Sequence, residues 1–114
     1  MDKLDLTTAT ERPVYIGANY EVIVRLCNAP DLTLYDGYSQ IYLDPDTRLV
    51  NFRTEVIDSK TFRLYINWDD FTDDIIAGTY EYDVLFVNKP ANPSYRFYAV
   101  GGSVELIDRL SEVL

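Results

Sequence analysis

Asp69, Asp70, Asp73 and Asp74 stand close together in the sequence and form its most obvious candidate for a metal site. A hard cation such as Ca²⁺ takes about six to eight oxygens and favours clustered carboxylates. The spacing is not that of an EF-hand loop, which needs a central Gly and a distal bidentate Glu. Acids at the start of a short helix are favoured by its dipole and as caps, so solvated, capping acids are expected here and no metal. Among 19 Asp and Glu residues, no two are marked out as the carboxylate pair, about 5–9 Å apart, that glycoside hydrolysis requires. A domain of this size also has little room for a deep cleft. The chain has no histidine, which removes the usual general base and the commonest transition-metal ligand. Cys27 is the only cysteine, so neither an intrachain disulfide nor a cysteine metal cage can form. It falls on the outward phase of its strand and reads as a small apolar residue under a loop or partner. The expectation is a protein that is not an enzyme and carries no cofactor.

Tyrosine is the compositional outlier, with ten in 114 residues. Large amphipathic rings beyond what a core can hold suggest contact surfaces, since Tyr supplies area and a hydrogen bond at low entropy cost. In "LYDGYSQIY" and "NPSYRFY" the rings lie beside Asp, Asn and Ser, a composition that stacks on proteins or sugars. Part of the set Tyr35, Tyr38, Tyr42, Tyr65 and Tyr98 is expected at a protein interface. A net charge of -9, with Lys and Arg unclustered, would repel a phosphate backbone, so no nucleic-acid partner is expected. The acidic excess serves solubility. No apolar run approaches the roughly 18–20 residues of a membrane span, and the start "MDKLDLTTATERP" lacks an apolar signal region. A soluble protein made in a cytosol is expected, without a membrane partner.

The elements that position these residues have a period of two. "NYEVIVRLCN" puts Tyr20, Val22, Val24 and Leu26 on one face and Glu21, Ile23, Arg25 and Cys27 on the other. "LVNFRTEV" and "TFRLYINW" place Val50, Phe52, Thr54, Val56, Phe62, Leu64, Ile66 and Trp68 inward, joined by the turn "IDSK". "TYEYDVLFVN" turns Tyr80, Tyr82, Val84 and Phe86 inward, and its outer face becomes apolar at Leu85 and Val87. "KPANPS" must be a loop. In "YRFYAVGGSVELID" the inward phase switches from Phe97 and Ala99 to Val104 and Leu106, which predicts a one-residue bulge at Gly101–Gly102. "YDGY" reads as a turn before a short strand over 40–43, and "DPDT" as the turn that ends it. Leu4 to Thr8 is a weaker strand candidate. Trp68, Phe71, Ile75 and Ile76 recur near helical spacing, predicting a short helical or 3₁₀ crossover near 69–76. Residues 1–114 make one domain, with 1–13 an extended arm and 109–114 a short tail in which Leu106, Leu110 and Leu114 align. About seven short antiparallel strands at even spacing indicate a sandwich or barrel more than an α/β arrangement, and an all-β sandwich is expected.

The step "AGTYEY", Ala77 to Tyr82, following Leu64 and Ile66, resembles strands E and F of immunoglobulin-like domains, with Gly78 at the turn and Tyr82 where the family has its cysteine. The resemblance implies that Tyr80 is the tyrosine-corner residue, its hydroxyl bonding backbone in the crossover. Ile76 stands where the family has an Asp, and the crossover is longer by a few residues. Over about 19–108 the order of "NYEVIVRL", "FRLYINWDDFTDDIIAGTYEYDVLFV" and "RFYAVGGSVELI" is similar to the small β-sandwich of tailed-phage virion proteins of the tail-collar and tail-fibre-associated group. Tyr80, Tyr82 and Asp83 carry that match. It implies a structural subunit of a virion, made in the host cytoplasm, that assembles with copies of itself or with neighbouring virion proteins.

The resulting expectation is a virion assembly or decoration subunit, with Tyr38, Leu85, Val87, Tyr95 and Tyr98 as its protein interface. Trp68, Gly78, Tyr80, Tyr82, Gly101 and Gly102 are expected to be structural. Leu85, Val87, Tyr95 and Tyr98 are expected to form one apolar and aromatic region that a monomer would prefer to cover. The alternatives are a carbohydrate- or receptor-binding sandwich and a cytosolic adaptor domain.

Overall fold

The computed structural model describes residues 2–44, 47–91 and 93–108, so Leu110, Leu114 and the rest of the expected tail lie outside the described residues. The chain is mostly β, with strands β1 (Asp2–Lys3), β2 (Val14–Tyr15), β3 (Tyr20–Arg25), β4 (Asp36–Asp44), β5 (Thr47–Asp58), β6 (Thr61–Ile66), β7 (Gly78–Asn88) and β8 (Tyr95–Ile107). Their order is β1-β8-β7-β4-β5-β6-β3, with β2 also on β8, in one sheet nearly closed into a barrel. The long β5 makes the curvature: residues 47–52 pair with β4 and residues 53–58 with β6. The sheet is mixed instead of wholly antiparallel, because β1 and β2 run parallel to β8.

The core follows the alternation. Phe62, Leu64, Ile66, Tyr82, Val84, Phe86, Ile41 and Leu106 are buried, each large apolar side chain stabilising by about 1.5–3 kcal/mol relative to exposure. Phe62 and Phe86 meet edge to face at 5.1 Å, and Phe52 and Tyr82 do so at 5.6 Å. Tyr82 therefore fills the interior, and its hydroxyl donates to the Leu4 carbonyl. Tyr80 is half-buried and its hydroxyl donates to the Ile76 carbonyl at 2.7 Å, tying the start of β7 to the preceding crossover.

The expected arm is docked along β8. Leu4 donates to the Gly101 carbonyl at 3.1 Å, Leu6 to that of Ser103 at 2.8 Å, and Glu105 donates back to Leu6 at 2.8 Å. Leu6 and Val14 are wholly buried. Glu105 accepts from the backbone N–H and the hydroxyl of Thr8, each at 2.9 Å.

Three sequence expectations are corrected. The phase switch in β8 occurs at Ala99 and not at Gly101–Gly102: Val84 pairs with Val100 and Leu85 with Tyr98, leaving Ala99 as the extra residue. Gly102 serves a different purpose, since a Cβ there would lie 2.8 Å from the Leu4 carbonyl oxygen. "YDGY" is not a turn, because β4 begins at Asp36; Gly37 lacks a side chain because a Cβ would meet Thr54 Oγ1 at 2.6 Å. Trp68 does not continue the inward face of β6, which ends at Ile66, and it is 63% exposed. The crossover holds only the 3₁₀ turn Trp68–Asp70, with the strand exit fixed by Trp68 N–H donating to Asn19 Oδ1 at 2.8 Å.

Candidate functional site

On β4 the alternation buries Ser39 and Ile41 and turns Tyr38, Gln40 and Tyr42 outward. The buried Ser39 hydroxyl is satisfied by the Asp83 carbonyl at 2.7 Å, which also ties β4 to β7. Tyr38 lies opposite Leu85, and Leu85 opposite Tyr98, so one row of apolar and aromatic side chains crosses β4, β7 and β8. The next row is Gln40 opposite Asp83, which faces Gly101 on β8, a position that adds no side chain to the row. Tyr42 follows, opposite Glu81 on β7 and Arg48 on β5. Tyr38, Gln40, Tyr42, Arg48, Asp83, Leu85 and Tyr98 line a groove of about 410 Å³.

The electrostatics of this groove are local. Burial raises the Asp83 carboxyl above its ordinary value, opposed by a hydrogen bond from Tyr42 and by the Arg48 charge. Burial likewise raises the Tyr42 phenol, helped by the charges of Asp83 and Glu81. At the β4 entrance Lys89 Nζ sits 5.1 Å from the Tyr38 ring centroid and 3.7 Å from the Asp36 carboxylate.

Of the interface residues expected from sequence, Tyr38, Leu85 and Tyr98 come together here, with Tyr38 45% and Tyr98 53% exposed. Two do not join them. Val87 is buried, a small side chain whose register partners are the longer Asp36 and Arg96. Tyr95 stands three residues from Tyr98 in the unbroken register before Ala99 and so faces the opposite side of the strand, where it packs with Phe97 at 6.2 Å and with Tyr35 at 6.4 Å. The expected single region of Leu85, Val87, Tyr95 and Tyr98 is thus divided. Gln40, Arg48 and Asp83 were missed as site residues, although the alternation of "GYSQIYL" already puts Gln40 between two tyrosines on one face.

Two of the four crossover aspartates, Asp70 and Asp74, are engaged by protein groups. Asp70 accepts from Arg53 Nε at 2.9 Å and Nη2 at 2.7 Å, and from the Asn67 N–H at 2.9 Å. These bonds, Arg53 first, hold its carboxyl below the usual range. Asp74 accepts from the Thr72 hydroxyl. Among the described residues no three His, Cys, Asp or Glu side chains come together as a metal site, and no helix is long and apolar enough to cross a membrane. Cys27 is exposed. Comparison with family models, with curated proteins and with solved structures finds no match to this chain.

Proposed function

We propose that this chain is a non-enzymatic assembly subunit that binds copies of itself through the tyrosine-lined face of β4, β7 and β8. The observation that carries the reading is the row Tyr38, Leu85 and Tyr98, two exposed aromatic rings on either side of a half-buried leucine on a strand-built surface. Rings of this kind supply interface area at low entropy cost, and rigid strands hold them in place. The groove offers a single carboxylate beside a guanidinium, an amide and phenols, a set suited to binding more than to acid and base catalysis.

The virion setting, with neighbouring virion proteins as further partners and synthesis in the host cytoplasm, follows from the likeness of "TYEYD" and its flanking strands to tailed-phage sandwiches. An immunoglobulin-like sandwich is the fold reading that belongs with it. Support comes from the strand order, from the N-terminal segment lying parallel to the last strand, and from the Tyr80 hydroxyl bonded to the Ile76 carbonyl. Sedimentation equilibrium of the wild type against Tyr38→Ala/Tyr98→Ala tests the assembly claim. Association in the wild type that drops at least about tenfold in the variant is expected, because buried aromatic anchors dominate interface energetics. A monomeric wild type would remove the reading.

A second reading, a glycan-binding face, is favoured by Gln40, Arg48 and Asp83 beside the tyrosines, since aromatic faces and paired polar groups together suit a pyranose. A glycan screen with the same variant as control decides it: binding by the wild type alone would replace the assembly reading.

A further inference from the structure

Among the described residues, strand β3 ends the sheet and is hydrogen-bonded only to β6. Just beyond it, the Leu26 N–H donates to the Lys60 carbonyl at 2.8 Å, continuing the β3–β6 register. Antiparallel pairs alternate, so the even-numbered residues of β3 direct their N–H and C=O groups to β6 and Glu21, Ile23 and Arg25 direct theirs to the open edge. The side chains of the same three residues are exposed on the outer face, Ile23 by 52%. Glu21 meets Arg63 at 3.1 Å, whereas Arg25 makes no ion pair within 4 Å among the described residues.

We propose that two copies of the chain pair antiparallel through β3 about a two-fold axis at Ile23. The segment "EVIVR" is self-complementary in that register alone. Ile23 faces Ile23 of the second copy, and Glu21 faces Arg25 of the second copy on both sides of the axis. Each of these pairs exchanges its N–H and C=O groups, because all its members already point them outward. Centring the axis on Val22 would set Glu21 against Ile23, and centring it on Val24 would set Arg25 against Ile23. Opposite charges across strands stabilise and like charges destabilise, so charge selects the register. The local sum of Glu21 and Arg25 is zero, so the pairing escapes the repulsion that a net charge of -9 imposes elsewhere. The contact is small, and the association is correspondingly weak and concentration-dependent. It uses a surface separate from the tyrosine face and does not rest on that reading.

The test is sedimentation equilibrium of the full chain across concentration, with Glu21→Arg, Arg25→Glu and the double swap Glu21→Arg/Arg25→Glu, all in the Tyr38→Ala/Tyr98→Ala background. Each single reversal puts like charges opposite twice and is expected to weaken the dimer about tenfold, while the double swap restores it. Amide exchange supplies the second readout. The Ile23 and Arg25 amides are expected to gain protection with rising concentration, while Val22 and Val24, already bonded to β6, do not change. A chain that stays monomeric in that background, a dimer indifferent to these charges, or a double swap that fails to restore pairing overturns the proposal. If instead the wild type associates only through the tyrosine face, the β3 proposal falls and the assembly reading stands.

Discussion

At the level of single residues, Tyr82 joins the core to the N-terminal segment. It is 1% exposed, packs against Phe52, and its hydroxyl bonds the Leu4 carbonyl, so burial drives its phenol well above the ordinary range. Tyr82→Phe keeps the ring and leaves that carbonyl without its donor, an expected cost of about 1–2 kcal/mol by urea unfolding. Asp70 carries a pH dependence with a definite sign. Its carboxyl is held below the unfolded value of about 3.9, so the stability it contributes is present above that pH and is lost as pH falls through the folded value. Acid unfolding of Asp70→Asn should accordingly show a shallower loss of stability below about pH 4 than the wild type. The inward placement of Tyr82 was legible from period-two alternation alone. The burial of Val87 was not, because it depends on the lengths of Asp36 and Arg96, which register brings beside it.

At the level of elements, the two faces of β3, β5, β6 and β7 were legible, since each strand is polar on one side and apolar on the other. The phase switch in β8 was legible too, but its position was not: a bulge needs only one extra residue, and Ala99 supplies it without glycine. Gly102 instead marks where two backbones approach. Gly102→Ala would force its Cβ against the Leu4 carbonyl, and a loss of about 1–3 kcal/mol is expected in thermal unfolding, with the Leu4 and Leu6 amides exchanging faster. The parallel docking of the arm could not be read locally, because Leu6 and Val14 sit in a stretch with no regular alternation and find their places only against β8. Trp68 illustrates the converse: alternation carried it inward, but the strand stops at Ile66 and the Asn19 side chain captures its backbone.

At the level of the whole molecule, the barrel-like sheet carries the tyrosine-lined groove on its outer face. The sequence identified tyrosine as the excess residue, and the fold gathers Tyr38, Tyr42 and Tyr98 around one groove while assigning Tyr82 to the core and Tyr80 to the corner. Gln40, Arg48 and Asp83 joined the groove only when three strands were set in register, which no single stretch of sequence expresses. With the proposed β3 pairing as a second contact beside the proposed tyrosine face, a chain that uses both would propagate where one that uses either alone would stop at a dimer. Sedimentation equilibrium of the wild type beside Tyr38→Ala/Tyr98→Ala tests the central claim most directly. The account predicts concentration-dependent association in the wild type and at least about a tenfold weakening in the variant, with unfolding transitions within about 0.5 kcal/mol of each other. A wild type that remains monomeric across the concentration range, or one whose association the variant leaves unchanged, would contradict it.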